Sequence, residues 1–272
     1  MNITTLLDKV YFAPRLKKID FYANRAGELQ HRVLDRLVRM AENTEWGKKY
    51  DYKSIHTYED FRNRLPIQTY EEVKPYVERL RAGEQNLLWP SEIRWFAKSS
   101  GTTNDKSKFL PVSKEALNDT HYQGGKDAVA LYLGQNPDSR FFSGQGLILG
   151  GSHSPNLNSR HGLVGDLSAI LIQNIHPLVN CVRVPSKKIA LMSDFEKKIE
   201  AIANSAVSKD VTSLSGVPSW MLVLIKRILE KTGKQSLEEI WPNLEVFFHG
   251  GVAFTPYREQ YKEVIRSPKM HY

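Results

Sequence analysis

A single cysteine, Cys181, stands in 272 residues, so no intramolecular disulfide can form and a reducing compartment is the expected setting. No apolar run approaches the ~18 residues that a membrane helix needs. The opening segment, Met1 to Val10, is short and interrupted by polar residues, unlike a secretory signal. Together these absences predict a cytoplasmic protein without a membrane partner. The eight histidines form no H-E-x-x-H and no paired Cys/His spacing, so no metal-ligating residue is assigned. Ser152-His153 has no G-x-S-x-G elbow around it, which disfavours a hydrolase triad. Internal repeats and Pro/Ser-rich linkers are also missing.

Charge of one sign is nowhere concentrated. The net charge is +8, yet residues 1–90 carry 16 basic and 13 acidic groups, 91–180 carry 8 and 7, and 181–272 carry 14 and 10. Nucleic-acid binders gather basic residues on one face or stripe, so no nucleic-acid partner is expected. The short pairs, such as Lys187-Lys188 and Lys197-Lys198, lie far apart in sequence. A mildly basic protein with a small anionic ligand fits better. With 41% hydrophobic and 25% charged residues, the composition is that of a soluble globular protein able to bury a sizeable core.

The first ~88 residues read as helical. Apolar side chains recur from Leu29 through Val33, Leu34, Leu37, Val38 and Ala41 on one helical face, with Gly47 as the stop. Thr57 to Pro66 reads as one helical segment closed by proline. Thr69-Tyr70-Glu71-Glu72 has the capping-box arrangement, with Gly83 at the end of its helix. From residue 91 strands alternate with helices. Strands are expected at Ile93–Ala97, Leu147–Leu149, Cys181–Val184, Val211–Leu214 and Leu244–Phe248. Ser113 is expected to cap a helix running to about Leu133, and Ser193 to cap one carrying Phe195, Ile199, Ile202 and Ala206. Leu167 to Ile175 suits helix or strand, and Ser219 to Lys231 is an amphipathic helix. The fold class is therefore α/β with a largely parallel sheet, divided as a helical lead-in at 1–90 and an α/β domain at 91–272.

The sharpest chemical feature is Ser99-Ser100-Gly101-Thr102-Thr103, followed by Lys106 and Lys108. Four hydroxyls around a glycine offer side-chain and backbone donors to phosphate oxygens, and a nearby lysine adds charge. A polar surface turn is the plainer reading of the same five residues. The spacing excludes the G-x-x-x-x-G-K-[ST] loop. Cys181, inside an apolar run, reads as a small buried hydrophobe. Trp220 reads as a core residue, with a place in an acyl pocket as the other possibility.

The wider set is more specific. Tyr58-Glu59-Asp60-Phe61-Arg62, Leu65-Pro66-Ile67, Thr69 to Tyr76 and Phe96-Ala97-Lys98 precede the loop. Leu149-Gly150-Gly151-Ser152, Gly216-Val217-Pro218-Ser219-Trp220 and Phe248-His249-Gly250-Gly251-Val252-Ala253-Phe254 follow it. In this order they resemble the auxin-responsive promoter family of acyl acid amido synthetases, which are adenylate-forming enzymes. The resemblance covers most of the chain. It implies the large N-terminal domain of such an enzyme and a two-step ligation using ATP and Mg2+. A small carboxylic acid would become an acyl-AMP, and an amine such as an amino acid would then displace AMP. Carried over by position, Ser99, Ser100, Gly101, Thr102 and Thr103 would hold the phosphates, with Lys108 as the basic catalytic residue. Gly250, Gly251, Val252 and Ala253 would lie against the adenine; a tight strand-to-helix turn is the structural reading of the same residues.

Three departures stand beside this. Asp105 occupies a loop position where the family often has glycine. A Tyr-x-x-Ser-Glu segment and a Tyr-Arg-x-Gly-Asp segment, which would hold Mg2+ and ribose, do not occur within 1–272. The ending at Pro268–Tyr272 has no closing element, so the chain reads as truncated and its own turnover is left open. Acyl-CoA ligase chemistry, or a nucleotide-binding or structural module without turnover, are the alternatives.

Overall fold

The computed structural model describes residues 3–99, 108–155 and 162–272. Eight strands are described: β1 Trp95–Lys98, β2 Phe109–Val112, β3 Gln145–Ile148, β4 His153–Pro155, β5 Leu163–Gly165, β6 Arg183–Val184, β7 Val211–Gly216 and β8 Val246–His249. They form two four-stranded sheets, β2-β1-β5-β4 and β6-β3-β7-β8, rather than one. The mixed α/β class is as expected. The chain divides into two compact units. One comprises Phe12–Leu131 and Ser154–Gly165; the other comprises Met1–Tyr11, Tyr132–His153 and Asp166–Tyr272.

In the first unit, β1 pairs antiparallel with β2 and parallel with β5. The helical segments follow the capping signals closely. Thr57 and Asp60 close a capping box on helix Tyr58–Arg64, and Thr69 and Glu72 another on Tyr70–Arg81. Val38 and Ala41 of helix Ala26–Ala41 bury against Tyr52 and Ile55. Leu80 packs with Leu87, Ile93, Phe96 and Val164, with Tyr76 and Phe109 against them. Helix Tyr70–Arg81 therefore shares a core with β1, β2 and β5, while helix Ala26–Ala41 packs in a second cluster. Gly47 does not stop the long helix. It lies buried inside the short helix Glu45–Lys49, whose N-cap Thr44 accepts from its N–H at 2.9 Å.

The second unit is built on a wholly parallel sheet, β6-β3-β7-β8. Such sheets need apolar cover. Leu147, Leu214 and Phe247 supply one face, against Ile199, Ile202 and Ala206 of helix Phe195–Ala206 and Met221, Leu224, Ile225 and Ile228 of helix Pro218–Thr232. Trp241 is fully buried there, donating from Nε1 to the Ala206 carbonyl at 3.2 Å. Two local expectations are corrected, the Ser193 cap and the burial of Cys181, and one open alternative is resolved. Helix Phe195–Ala206 is capped by Asp194, which accepts from Lys197 N, and not by Ser193. Leu167–Asn174 is helix. Cys181 is exposed at the end of the 3-10 turn Pro177–Cys181, and only Arg183–Val184 is strand.

Glu200 ties the two covering helices together, accepting from Arg227 Nε at 2.7 Å and from Lys231 Nζ at 2.8 Å. Hydrogen bonds from Lys231 and Arg227 hold its carboxyl at about 2, below the ordinary 4.5. A carboxyl depressed on folding stabilises the protein above its unfolded pKa, and that contribution fades as pH falls through the folded value. Stability should therefore drop between pH 4.5 and about 2, and less steeply in Glu200→Gln. Chemical denaturation across that range reads the difference, and parallel profiles would refute it.

Candidate functional site

Two places carry the residues that the sequence singled out. The first is the neck of the β1–β2 hairpin. Lys98 lies opposite Phe109, and the pair beyond it is Ser99 with Lys108. Ser99 N donates to the Lys108 carbonyl at 2.9 Å, and Lys108 N donates to Ser99 Oγ at 3.1 Å. The hairpin thus fixes both ends of the loop through backbone groups and the Ser99 hydroxyl. The Lys108 side chain stays out of this scaffold. Its ammonium lies 5.4 Å from the Tyr70 ring centre, and among the described residues it has no carboxylate partner. Tyr70 also holds the neighbouring residue: its hydroxyl accepts from Phe109 N at 2.8 Å and donates to Phe109 O at 3.3 Å. Ser100, Gly101, Thr102 and Thr103 lie outside the described residues. The loop joins two antiparallel strands.

The second place is the carboxyl edge of the parallel sheet, where ligands of open α/β sheets gather. Register sets Ile148 beside Ser215 and Gly216 beside His249, so β3, β7 and β8 end together. Their exits are Leu149-Gly150-Gly151-Ser152, Gly216-Val217-Pro218 and Gly250-Gly251-Val252-Ala253. Three motifs far apart in sequence thereby meet on one edge. Ser99 and Lys108 belong to the first unit, and Gly250, Gly251, Val252 and Ala253 to the second.

The glycines of these exits differ in what requires them. A Cβ on Gly151 would lie 2.0 Å from Asp166 Oδ2, and one on Gly216 would lie 2.9 Å from the Leu149 carbonyl oxygen. Gly251 has φ +84°, which L side chains rarely adopt. Gly250 has neither constraint: its φ is not in the left-handed region, and a Cβ there would meet no atom of the chain within 4 Å. Residues 250–253 are exposed. The turn is braced by His249 stacked on Phe254, ring centres 4.4 Å apart and planes 22° apart. Burial, with Arg258 adding to it, pushes the His249 imidazole pKa down.

Trp220 is not core. It stands 38% exposed on helix Pro218–Thr232, edge to face with Phe195 at 6.0 Å. Among the described residues no group of three or more His, Cys, Asp or Glu side chains is arranged to hold a metal. No helix among them is long and apolar enough to cross a membrane. Three polar residues that sequence reasoning passed over surround the β3 exit: Asp166, Ser168 and Lys198. The signal for Lys198 was its place one helical turn before Ile202, inside the apolar stripe.

Residues 15–270 match the family model described as the GH3 family N-terminal domain. An indole-3-acetic acid-amido synthetase, GH3.2 of Arabidopsis thaliana, is 30% identical over 103 residues, covering 38% of this chain and 19% of that protein. A jasmonoyl–L-amino acid synthetase, JAR4 of Nicotiana attenuata, is 26% identical over 106 residues, or 39% and 18%. The solved structure of AtGH3.15 acyl acid amido synthetase in complex with 2,4-DB shares the fold with a TM-score of 0.75 at 17% identity, over 91% of this chain and 52% of that one. The chain thus spans about half of that structure, and its matches cover about a fifth of those two plant enzymes. The ordered motifs, the α/β fold and the match across nearly the whole chain agree: the protein belongs to the GH3 family and carries its N-terminal domain.

Proposed function

We propose that this chain is the nucleotide-handling part of an ATP-dependent acyl acid amido synthetase. A carboxylate oxygen attacks the α-phosphorus of ATP and pyrophosphate leaves. An amine nitrogen then attacks the acyl carbon, loses a proton and releases AMP. A free carboxylate is a poor electrophile, and AMP is a far better leaving group than oxide. Catalysis in the first step is alignment together with neutralisation of phosphate charge. Ser99, Ser100, Gly101, Thr102 and Thr103 hold the phosphates, with Lys108 supplying the positive charge. Adenine lies along Gly250 to Ala253. Mg2+ is carried on the phosphates, as it usually is in nucleotide sites, and no residue of this chain is assigned to it. The acid and amine are small molecules, as the names of the similar enzymes suggest.

The observation that carries the reading is Gly250. The fold does not require glycine there, yet a side chain would project from an exposed turn at the ligand edge of the sheet. A planar base resting on that backbone explains the missing side chain. Gly250→Leu should leave thermal stability unchanged and weaken ATP and adenosine binding about tenfold in calorimetry. Equal affinity in a folded variant would remove the adenine assignment. Carboxylate-dependent ATP–pyrophosphate exchange tests the chemistry itself. We expect none from residues 1–272 and exchange from a chain that also bears the Tyr-x-x-Ser-Glu and Tyr-Arg-x-Gly-Asp segments. Silence from the latter across a broad acid panel would refute adenylation.

A further inference from the structure

Trp220 and Phe195 belong to the outer face of the two helices that cover the parallel sheet, Phe195–Ala206 and Pro218–Thr232. The contacts between these helices advance together: Phe195 meets Trp220, and further along Glu200 meets Arg227 and Lys231. The helices therefore run in the same direction, and a groove of about 680 Å³ lies between them. Ile199 forms its floor, Glu196 and Glu200 one wall, and Val223, Lys226 and Arg227 the other. Three large apolar side chains stand open on this face, Trp220 at 38%, Phe195 at 40% and Val223 at 48% exposure. Apolar patches rimmed by charge mark interaction surfaces.

The charges around the groove decide what fits it. Glu200 is already neutralised by Arg227 and Lys231, and Glu230 by Arg227. Glu196 and Lys226 are exposed, and among the described residues neither makes an ion pair. With ~100° per helical residue, Lys226 lies ~60° from Val223, on the flank away from Arg227. Glu196 lies on the other side, on the helix that Arg227 bonds. One unpaired charge of each sign thus flanks Val223. A partner of one charge sign would leave Glu196 or Lys226 facing its like. A partner with the same pattern satisfies both, and a second copy of this chain has that pattern. A two-fold axis lying in the interface and bisecting the line from Glu196 to Lys226 sets each against its counterpart in the other copy. Val223, between them, meets its own image on the axis.

We infer that the groove between helices Phe195–Ala206 and Pro218–Thr232 is a self-association surface, where two copies of this chain meet through reciprocal Glu196–Lys226 pairs around Val223. Three half-buried side chains cover much less than the ~800 Å² per partner of a standard stable interface, so the dimer is weak and exchanges readily. Its two ion pairs lie exposed at the rim, where charge fixes register and rejects wrong partners more than it adds affinity.

Sedimentation equilibrium of the 272-residue chain from about 10 µM to about 1 mM should show monomer passing to dimer, with Kd about 100 µM. Raising the salt to about 0.5 M should weaken association about fivefold. Glu196→Lys alone and Lys226→Glu alone put like charges at both contacts, and each should associate at least about tenfold more weakly. An equimolar mixture of the two variants should recover the wild-type affinity, because the mixed dimer pairs Lys with Glu at both contacts. Val223→Arg, which sets like charges face to face on the axis, should abolish association. All three positions are exposed, and circular dichroism identifies the folded variants. A wild type that stays monomeric throughout, or folded variants that associate as the wild type does, would overturn the surface. A mixture no better than its components would overturn the two-fold pairing.

Discussion

Thr102→Ala combined with Lys108→Ala should weaken ATP binding by about a hundredfold or more. Hydrogen bonds to charged groups contribute ~1.5–3 kcal/mol each, and two of them amount to roughly two to four decades of affinity. The hairpin should survive the change at Lys108, because Lys108 holds Ser99 by its own N–H and carbonyl, which alanine keeps. The lost side-chain contact, 5.4 Å to the Tyr70 ring, is a modest one at a half-buried site. Affinity can therefore be measured on a folded protein by calorimetry, with circular dichroism as the control. Unchanged ATP affinity would remove the phosphate-loop assignment.

Gly47→Ala should be the most damaging small substitution for stability. A Cβ at Gly47 would lie 2.1 Å from the Ala41 carbonyl oxygen and 2.9 Å from its carbon. That oxygen accepts from both Thr44 Oγ1 at 2.7 Å and Thr44 N at 3.0 Å, so it is pinned from two sides. No rotamer relieves a clash with backbone. Overpacking of this kind costs about 3 kcal/mol, and in a chain of this size that lowers Tm by roughly 6–12 °C. Differential scanning fluorimetry measures it; a shift under about 2 °C would show that helix Glu45–Lys49 moves aside at little cost.

Sequence periodicity and capping chemistry located most elements, since they act within a few residues. Thr69 with Glu72 is such a local rule, and its helix begins where the rule puts it; the segment read from Thr57 to Pro66 is helix over Tyr58–Arg64. What escaped was decided at long range. Cys181 sits in an apolar run, but the chain turns there before β6 and leaves the thiol outside. Trp220 looked like core because its helix is amphipathic; its position falls at the rim of the stripe beside Phe195. One sheet was expected and two formed, because strand order depends on pairings across tens of residues, such as Phe96 with Val164. At the site, Gly250 to Ala253 stood out by motif, whereas Lys198 was hidden in a Lys-Lys pair that resembled an ordinary solvated face. Only tertiary contact shows that its ammonium reaches Gly150 and Gly151.

The Tyr70 contacts have a consequence for self-association. β2 is the outer strand of its sheet, and the alternation of the ladder turns the N–H positions of Phe109 and Pro111 away from β1. Outer strands invite pairing with a second chain unless their donors are removed. Here Pro111 has no N–H to offer, and the Phe109 N–H and carbonyl are both engaged by one phenol. Tyr70 therefore acts as a one-residue stand-in for a missing strand. It closes the edge to a neighbouring molecule while leaving the hairpin neck at Ser99 and Lys108 clear.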